Sequence, residues 1–175
     1  ELANNPESAL PRTQVREAAL SLIQTFKDAQ RQFSDVSTDL NKSIEASVGD
    51  ANILAKEIAD LNNKIRDTEN SGNGPANDER DRRDLLVKKL SEKMDISYAE
   101  DPQSGMLNIT AGNTGLLVAG TSTGKISTSI NEKGHIVIYN ELSQGGSRFD
   151  ITEQFRKGTI GGALNAALRD DTHRE

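Results

Sequence analysis

The chain has 175 residues, of which 34% are hydrophobic, 3% aromatic and 27% charged, with a formal net charge of -6. That length suits about one domain, and four Phe, two Tyr and no Trp leave little for an aromatic-lined pocket. The absence of Cys excludes disulfides, Cys-ligated zinc and a thiol nucleophile. No apolar run approaches the ~18 residues of a membrane span, and an acidic balance without a basic stripe argues against a nucleic-acid partner.

The chain opens on Glu1, with no basic-then-apolar signal behind it. It is therefore expected to be processed or to be a piece of something longer. Charge is unevenly spread. Residues 102–150 carry only Lys125, Lys133, Arg148, Glu132, Glu141 and Asp150, with Gly, Ser, Thr and Asn filling the rest. The charge-dense front reads as helix and the charge-poor middle as sheet, which is an α+β order. The expected division is 1–101 helical, 102–150 a small antiparallel β-meander and 151–175 a returning helical segment.

Pro11 suits the first turn of a helix, and no Pro follows before the end of the pattern near Glu69. Ala19, Phe26, Phe33, Leu40, Ser47, Leu54 and Leu61 stand seven apart. Val15, Leu22, Ala29 and Val36 make a second row, which shifts by one residue to Ile44, Ala51, Ile58 and Ile65. Seven-residue spacing keeps an apolar seam on one side of a slightly underwound helix. Residues 12–69 as one helix would span roughly 87 Å. Gly49 costs about 1 kcal/mol against Ala in a helix interior, but the first row keeps its phase across it, so a continuous helix is expected.

Asn70–Pro75 is a breaker. A second helix is expected over about 78–94, with Leu86, Val87, Leu90 and Met94 on its apolar side. Asp78/Arg82, Glu79/Arg83 and Asp84/Lys88 are acid-before-base pairs four apart, each adding ~0.3 kcal/mol on a solvated face. The short connection makes the two helices antiparallel neighbours. The second is too short to cover the seam from Val15 to Leu40, and a narrow-faced helix is stable only when its seam is buried. That stretch calls for another segment or another chain.

Alternation predicts strands at 96–100, 106–110, 116–119, 126–130 and 135–140, with turns at 101–105, 120–124 and 131–134. After Gly145-Gly146 comes Phe149–Thr152, and Gly158-Thr159-Ile160-Gly161-Gly162 opens a last helix with Ile160, Leu164 and Leu168 spaced by four.

Candidate chemistry is sparse. Gly120-Thr121-Ser122-Thr123-Gly124 matches the G-x-S-x-G nucleophile pattern, but that pattern needs a strand running into a helix. Here Lys125–Ile130 behind it also reads as a strand, so a hairpin loop is expected. His135 and His173, without Cys, make no metal site unless carboxylates converge on them. Asp78–Asp84 reads as solvated ion pairs rather than an acid–base site. Asn108-Ile109-Thr110 fits the short N-glycosylation pattern. Gly161-Gly162 opens a helix as phosphate sites do, but no Lys-Ser/Thr follows. No cofactor and no catalytic residue is expected.

Three stretches carry a family resemblance: Glu1-Leu2-Ala3-Asn4-Asn5-Pro6-Glu7; Ala55–Ile65; and Asn77, Asp78, Asp81, Arg83, Asp84 and Leu86, which fit a PNDLLDQRDQL motif. The match continues through Asp95-Ile96 and again in Gly158–Leu164. The chain resembles the middle of the first flagellar hook-associated protein family, the hook–filament junction proteins. Departures are Ala76 between Pro75 and Asn77, and Glu79-Arg80 in place of two apolar residues. The resemblance implies part of a flagellin-like helical bundle and a non-enzymatic structural role outside the cell. It implies hook protein, a second junction protein and other copies of the chain as partners. It also implies export by the flagellar type III apparatus with its chaperone, through segments not in this sequence. Leu22, Phe26, Phe33, Leu40, Leu54, Ile58, Leu61, Ile65, Leu86 and Leu90 are the expected helix-packing seam. The competing readings are a coiled-coil binding module, such as an export chaperone or an adhesin stalk, and a hydrolase using Ser122.

Overall fold

A computed structural model describes residues 9–72, 74–113, 115–141 and 148–171, with side chains between residues 12 and 167. The order of elements is α1 (Ala9–Asn70), α2 (Asn77–Lys93), strands β1 (Ile96–Glu100), β2 (Leu107–Ala111), β3 (Gly115–Ala119), β4 (Ser122–Thr123), β5 (Lys125–Ile130), β6 (Ile136–Glu141) and β7 (Arg148–Asp150), a 3-10 turn (Thr152–Gln154) and α3 (Gly158–Asp171). This is an α+β arrangement of one long helix, shorter helices and antiparallel sheets. The chain divides into two compact units, residues 1–39 and 40–175.

In the second unit, the row Ile44, Val48, Ala51, Ala55, Ile58, Asn62, Ile65 alternates steps of four and three and is buried throughout. Ser47 and Leu61 flank it and are buried, while Leu40 and Leu54 are half-buried. Helix α1 runs unbroken through Gly49. That glycine lies on the exposed side, and a Cβ there would meet nothing within 4 Å. Its propensity cost is therefore offset by burial of the opposite face, which is the larger effect.

Contacts between α1 and α2 fall in reverse order along the two helices. Glu69 binds Arg80, Asn62 binds Arg83, and Asp50 binds Lys93. The helices are thus antiparallel neighbours. Leu86, Val87 and Leu90 of α2, with Met94 just past its end, enter the same core as Ile44–Leu61 of α1.

The strands form two sheets rather than one meander, ordered β1-β2-β3-β4 and β5-β6-β7. All pairings are antiparallel. The division falls at Gly124. A Cβ there would lie 2.0 Å from the Leu116 carbonyl oxygen, so the chain passes between the sheets only because this residue has no side chain. Period-two alternation records which face a residue takes, but not which strand it pairs with, so the split is absent from the pattern. Leu107, Ile109, Leu117 and Val118 of the first sheet and Ile126, Ile136 and Ile138 of the second share the helical core.

Ile160 and Leu164 of α3 are buried in that core. The side chain of Leu168 lies outside the described residues, as do Glu1–Glu7, Gly145-Gly146 and His173. Gly158, with φ +70°, brings α3 against the end of α2, where a Cβ would stand 2.8 Å from Lys93 C and Met94 N. Asp95 Oδ2 accepts hydrogen bonds from the Arg156 and Lys157 N–H groups, at 2.6 and 2.7 Å, just ahead of α3.

Replacing Ile58 with Ala should lower unfolding free energy by about 2–5 kcal/mol, the range for buried large-to-small changes. Phe26→Ala on the exposed stretch should stay within about 0.5 kcal/mol. Urea unfolding of the two variants against the parent chain measures the contrast.

Candidate functional site

Among the described residues, those singled out for chemistry do not converge. Ser122 lies exposed on β4, after a two-residue turn led by Gly120, which has positive φ as the first position of a II′ hairpin turn requires. The chain then enters β5 and not a helix, so the strand-to-helix geometry of a nucleophile elbow is missing. Asn108 is tied to the turn between β3 and β4, its Oδ1 accepting the Gly120 N–H at 2.8 Å. Among the described residues no group of three or more His, Asp or Glu side chains could hold a metal ion. No helix among them is long and apolar enough to cross a membrane.

Two other features stand out. The first belongs to residues 12–39. Val15, Ala19, Leu22, Phe26, Ala29, Phe33 and Val36 again alternate steps of four and three, the spacing of a coiled-coil seam. Here Val15, Leu22, Phe26, Phe33 and Val36 are all exposed, Phe26 by 69%. The residues flanking this row on either side include Ala18, Thr25, Gln30, Gln32 and Ser37. Lys27, Asp28, Arg31 and Asp35 fall away from the row, and Asp28 binds Arg31 and Gln24 there. Leaving apolar side chains of this size in water forgoes about 1.5–3 kcal/mol each relative to burial.

The second feature is a buried polar hub in the other unit. Asn62 occupies a seam position that would otherwise be apolar, and it is fully buried. Its Nδ2 donates to the carbonyls of Leu107 and Gly120, at 2.8 and 2.7 Å. Its Oδ1 accepts from Leu107 N–H and Arg83 Nη1, at 3.1 and 3.0 Å. Both donor sites and both acceptor sites of the amide are therefore filled. Asn52 repeats the device on the second sheet, pairing with both the N–H and the carbonyl of Ile126. Asn41 Nδ2 donates to the Gly134 carbonyl.

Arg83 is 1% exposed. Besides Asn62 it donates to the Gly105 carbonyl at 2.9 Å and to Glu100 Oε2 at 2.7 Å. Arg80 reaches the other Glu100 oxygen at 2.8 Å and forms a two-pronged pair with Glu69. Glu69 also accepts the Ala76 N–H at the entry to α2. The Arg80 side chain, with the Ala76 N–H behind it, holds the Glu69 carboxyl below its ordinary range, and the two carboxylates push the Arg80 guanidinium up.

This corrects the reading of Asp78–Asp84 as a wholly solvated run of ion pairs. Asn77, Asp78, Asp81 and Asp84 are exposed. Arg83, however, shares the buried face of α2 with Leu86, Val87 and Leu90, so it turns to Asn62 and Glu100 instead of Glu79. The signal lay in the helix period: residue 83 stands three before Leu86 and seven before Leu90. Asn62 escapes a reading of apolar rows because its side chain is an amide. Its position on the row of Val48 and Ala55, seven residues on, could have found it.

Asn62→Ala removes partners from Arg83, Leu107 and Gly120 at once. It should lower stability by about 3 kcal/mol or more, since each buried polar group left unpaired costs 1–3 kcal/mol. Asp81→Ala should stay within about 0.5 kcal/mol. Thermal and urea unfolding of both variants test the assignment of the hub.

A model of the flagellar hook-associated protein FlgK helical domain matches residues 1–174. Flagellar hook-associated protein 1 of Salmonella typhimurium is 28% identical over 174 residues, covering 97% of this chain and 31% of the relative. The Escherichia coli K12 protein of the same name gives the same identity and coverage. That of Bacillus subtilis is 30% identical over 114 residues, 65% of this chain and 22% of its own length. The flagellar hook junction protein FlgK from Burkholderia pseudomallei has the same fold, with a TM-score of 0.83 at 22% identity over 93% of this chain and 30% of that one. The chain thus spans about a third of the length of the Salmonella and E. coli relatives it matches. With a long seam-bearing helix, an antiparallel partner helix, two small sheets and a family model matched along almost every residue, the chain belongs to the FlgK helical-domain family.

Proposed function

We propose that this chain is part of a structural subunit of the bacterial flagellum, one that joins hook to filament as a member of a junction ring outside the cell. The observation that carries the reading is the exposed apolar row from Val15 to Val36, in a chain whose family is that of a flagellar hook-associated protein. A row of this spacing is an assembly surface in physical terms, since it gains stability only when another helix lies along it. In the full-length subunit, a further helix covers Leu22, Phe26 and Phe33 and meets Leu40. Leu54, Ile58, Leu61, Ile65, Leu86 and Leu90 are the part of the same seam that serves the inner core. Residues 1–101 act as the helical part, 102–150 as the β-rich part and 151–175 as the returning helix.

The partners under this reading are hook protein, the second junction protein and other copies of the subunit. The export apparatus and its chaperone engage segments outside this chain. Neither nucleic acid nor membrane is a partner. The subunit performs no catalysis: Ser122, the one residue in a nucleophile-like pattern, sits on a hairpin strand. An exposed seam alone would also suit a coiled-coil binding module, but the two sheets packed on α1 and α2 favour a subunit with a body of its own.

Phe33→Asp in the full-length protein should leave hooks intact by electron microscopy while filaments fail to attach; normal swimming of that strain would overturn the packing account. Ser122→Ala should leave motility unchanged. Covalent labelling of Ser122 by a fluorophosphonate probe in the parent protein, lost in the variant, would overturn the non-enzymatic reading.

A further inference from the structure

We infer that this chain pairs with a second copy of itself, antiparallel, through the exposed apolar row from Val15 to Val36. The inference rests on that row and not on the flagellar reading. A further helix of a longer subunit and a second copy compete for the same side chains, so the dimer is a property of the chain by itself.

The sizes of the side chains choose the direction. Paired helices meet in layers along the seam, and a large residue packs best against a small one. Laid parallel and in register, the row sets Phe26 on Phe26 and Phe33 on Phe33, with Ala19 on Ala19 and Ala29 on Ala29. The Phe layers then hold the helices apart, and the alanine layers become voids, which close-packed interiors penalise. Laid antiparallel about an axis between Lys27 and Asp28, Phe26 of each copy faces Ala29 of the other, Phe33 faces Leu22, and Val36 faces Ala19. No layer then holds two alanines or two Phe. Sliding this pairing by one heptad toward the N-terminus sets Ala19 on Ala29 and leaves Val36 uncovered. Sliding it the other way keeps only the stretch from Phe26 to Val36 in contact. Layer sizes therefore fix the register as well as the direction.

Charge and length agree with this arrangement. The positions beside the row, among them Ile23, Thr25, Gln30 and Gln32, are uncharged apart from Arg16, so the flanks do not oppose close approach. Arg12 and Arg16 stand toward one end of the row, Asp35 and Asp39 toward the other. Antiparallel pairing brings the basic end of each copy to the acidic end of its mate, whereas parallel pairing puts like charges side by side. The row is about 32 Å long at the helical rise, and a strip about 15 Å wide on each of two helices covers on the order of 1,000 Å² in total. That lies at the lower bound for a specific interface, which makes the dimer reversible and dependent on concentration. The pairing is self-complementary, as a two-fold contact requires.

Sedimentation of this chain from micromolar to millimolar concentration should show a reversible equilibrium between monomer and dimer. Phe26→Glu should raise the dissociation constant about tenfold or more, as loss of a central aromatic anchor does. Its circular dichroism should match the parent's, because Phe26 is exposed in the single chain. Leu20→Glu, at an exposed leucine off the row, should change the constant by less than about threefold. The chain has no Cys, so introduced thiols report direction without interference. A mixture of the Ala19→Cys and Val36→Cys chains should cross-link with a short bismaleimide. Ala19→Cys alone should not, since its two copies lie roughly 26 Å apart in the antiparallel pair. A chain that stays monomeric over the whole range, equal weakening by the two Glu variants, or cross-linking of Ala19→Cys to itself would each overturn the inference.

Discussion

A helix with one narrow apolar seam keeps its shape only where something lies along that seam, and the rest of this molecule follows from how α1 meets that requirement. From Ile44 to Ile65 the seam is buried. The second helix, two sheets and the returning helix all contribute side chains to the core built on it. From Val15 to Val36 the seam has the same spacing and faces water. The two stretches differ in one further respect. Asn62 interrupts the buried seam with an amide, whereas the exposed stretch has no polar residue on its row.

That amide explains how a helix and two small sheets make one body. Sheet edges and splayed strand ends carry N–H and carbonyl groups that must be paired when buried. Asn62 and Asn52 each pair with the N–H and the carbonyl of a single strand residue, Leu107 and Ile126. A side-chain amide carries the same donor and acceptor as a peptide group, so the helix can stand where another strand would. Arg83 adds a charge to the joint on the first sheet, and Glu100, Arg80 and Glu69 extend it to the ends of α1 and α2. Buried charge of this kind adds little stability over an apolar substitute, but it is costly to unbalance. It therefore favours a single arrangement of helices and turn.

The family and the geometry describe one kind of molecule. Among the described residues there is no catalytic constellation, and residues 15–36 of the long helix expose an apolar row. The two sheets, short and antiparallel with few charges, are joined by a chain passing so close at Gly124 that no side chain is tolerated there.

By itself the sequence determined the extents of the helices, the seven-residue seam with its one-residue shift, the continuity through Gly49, the helix-then-sheet order and the family. These are properties of local spacing and of a pattern shared along nearly the whole chain. The unequal lengths of the two helices already left the seam from Val15 onward uncovered; tertiary structure alone decided that Leu40 is half-buried, that Arg83 leaves its run of ion pairs for the interior, that the strands part into two sheets at Gly124, and that Asn62 joins helix to sheet. Periodicity says which residues share a face. Whether that face is buried, and what pairs with a polar group standing in it, depends on residues far away in the chain, and local spacing carries no record of them.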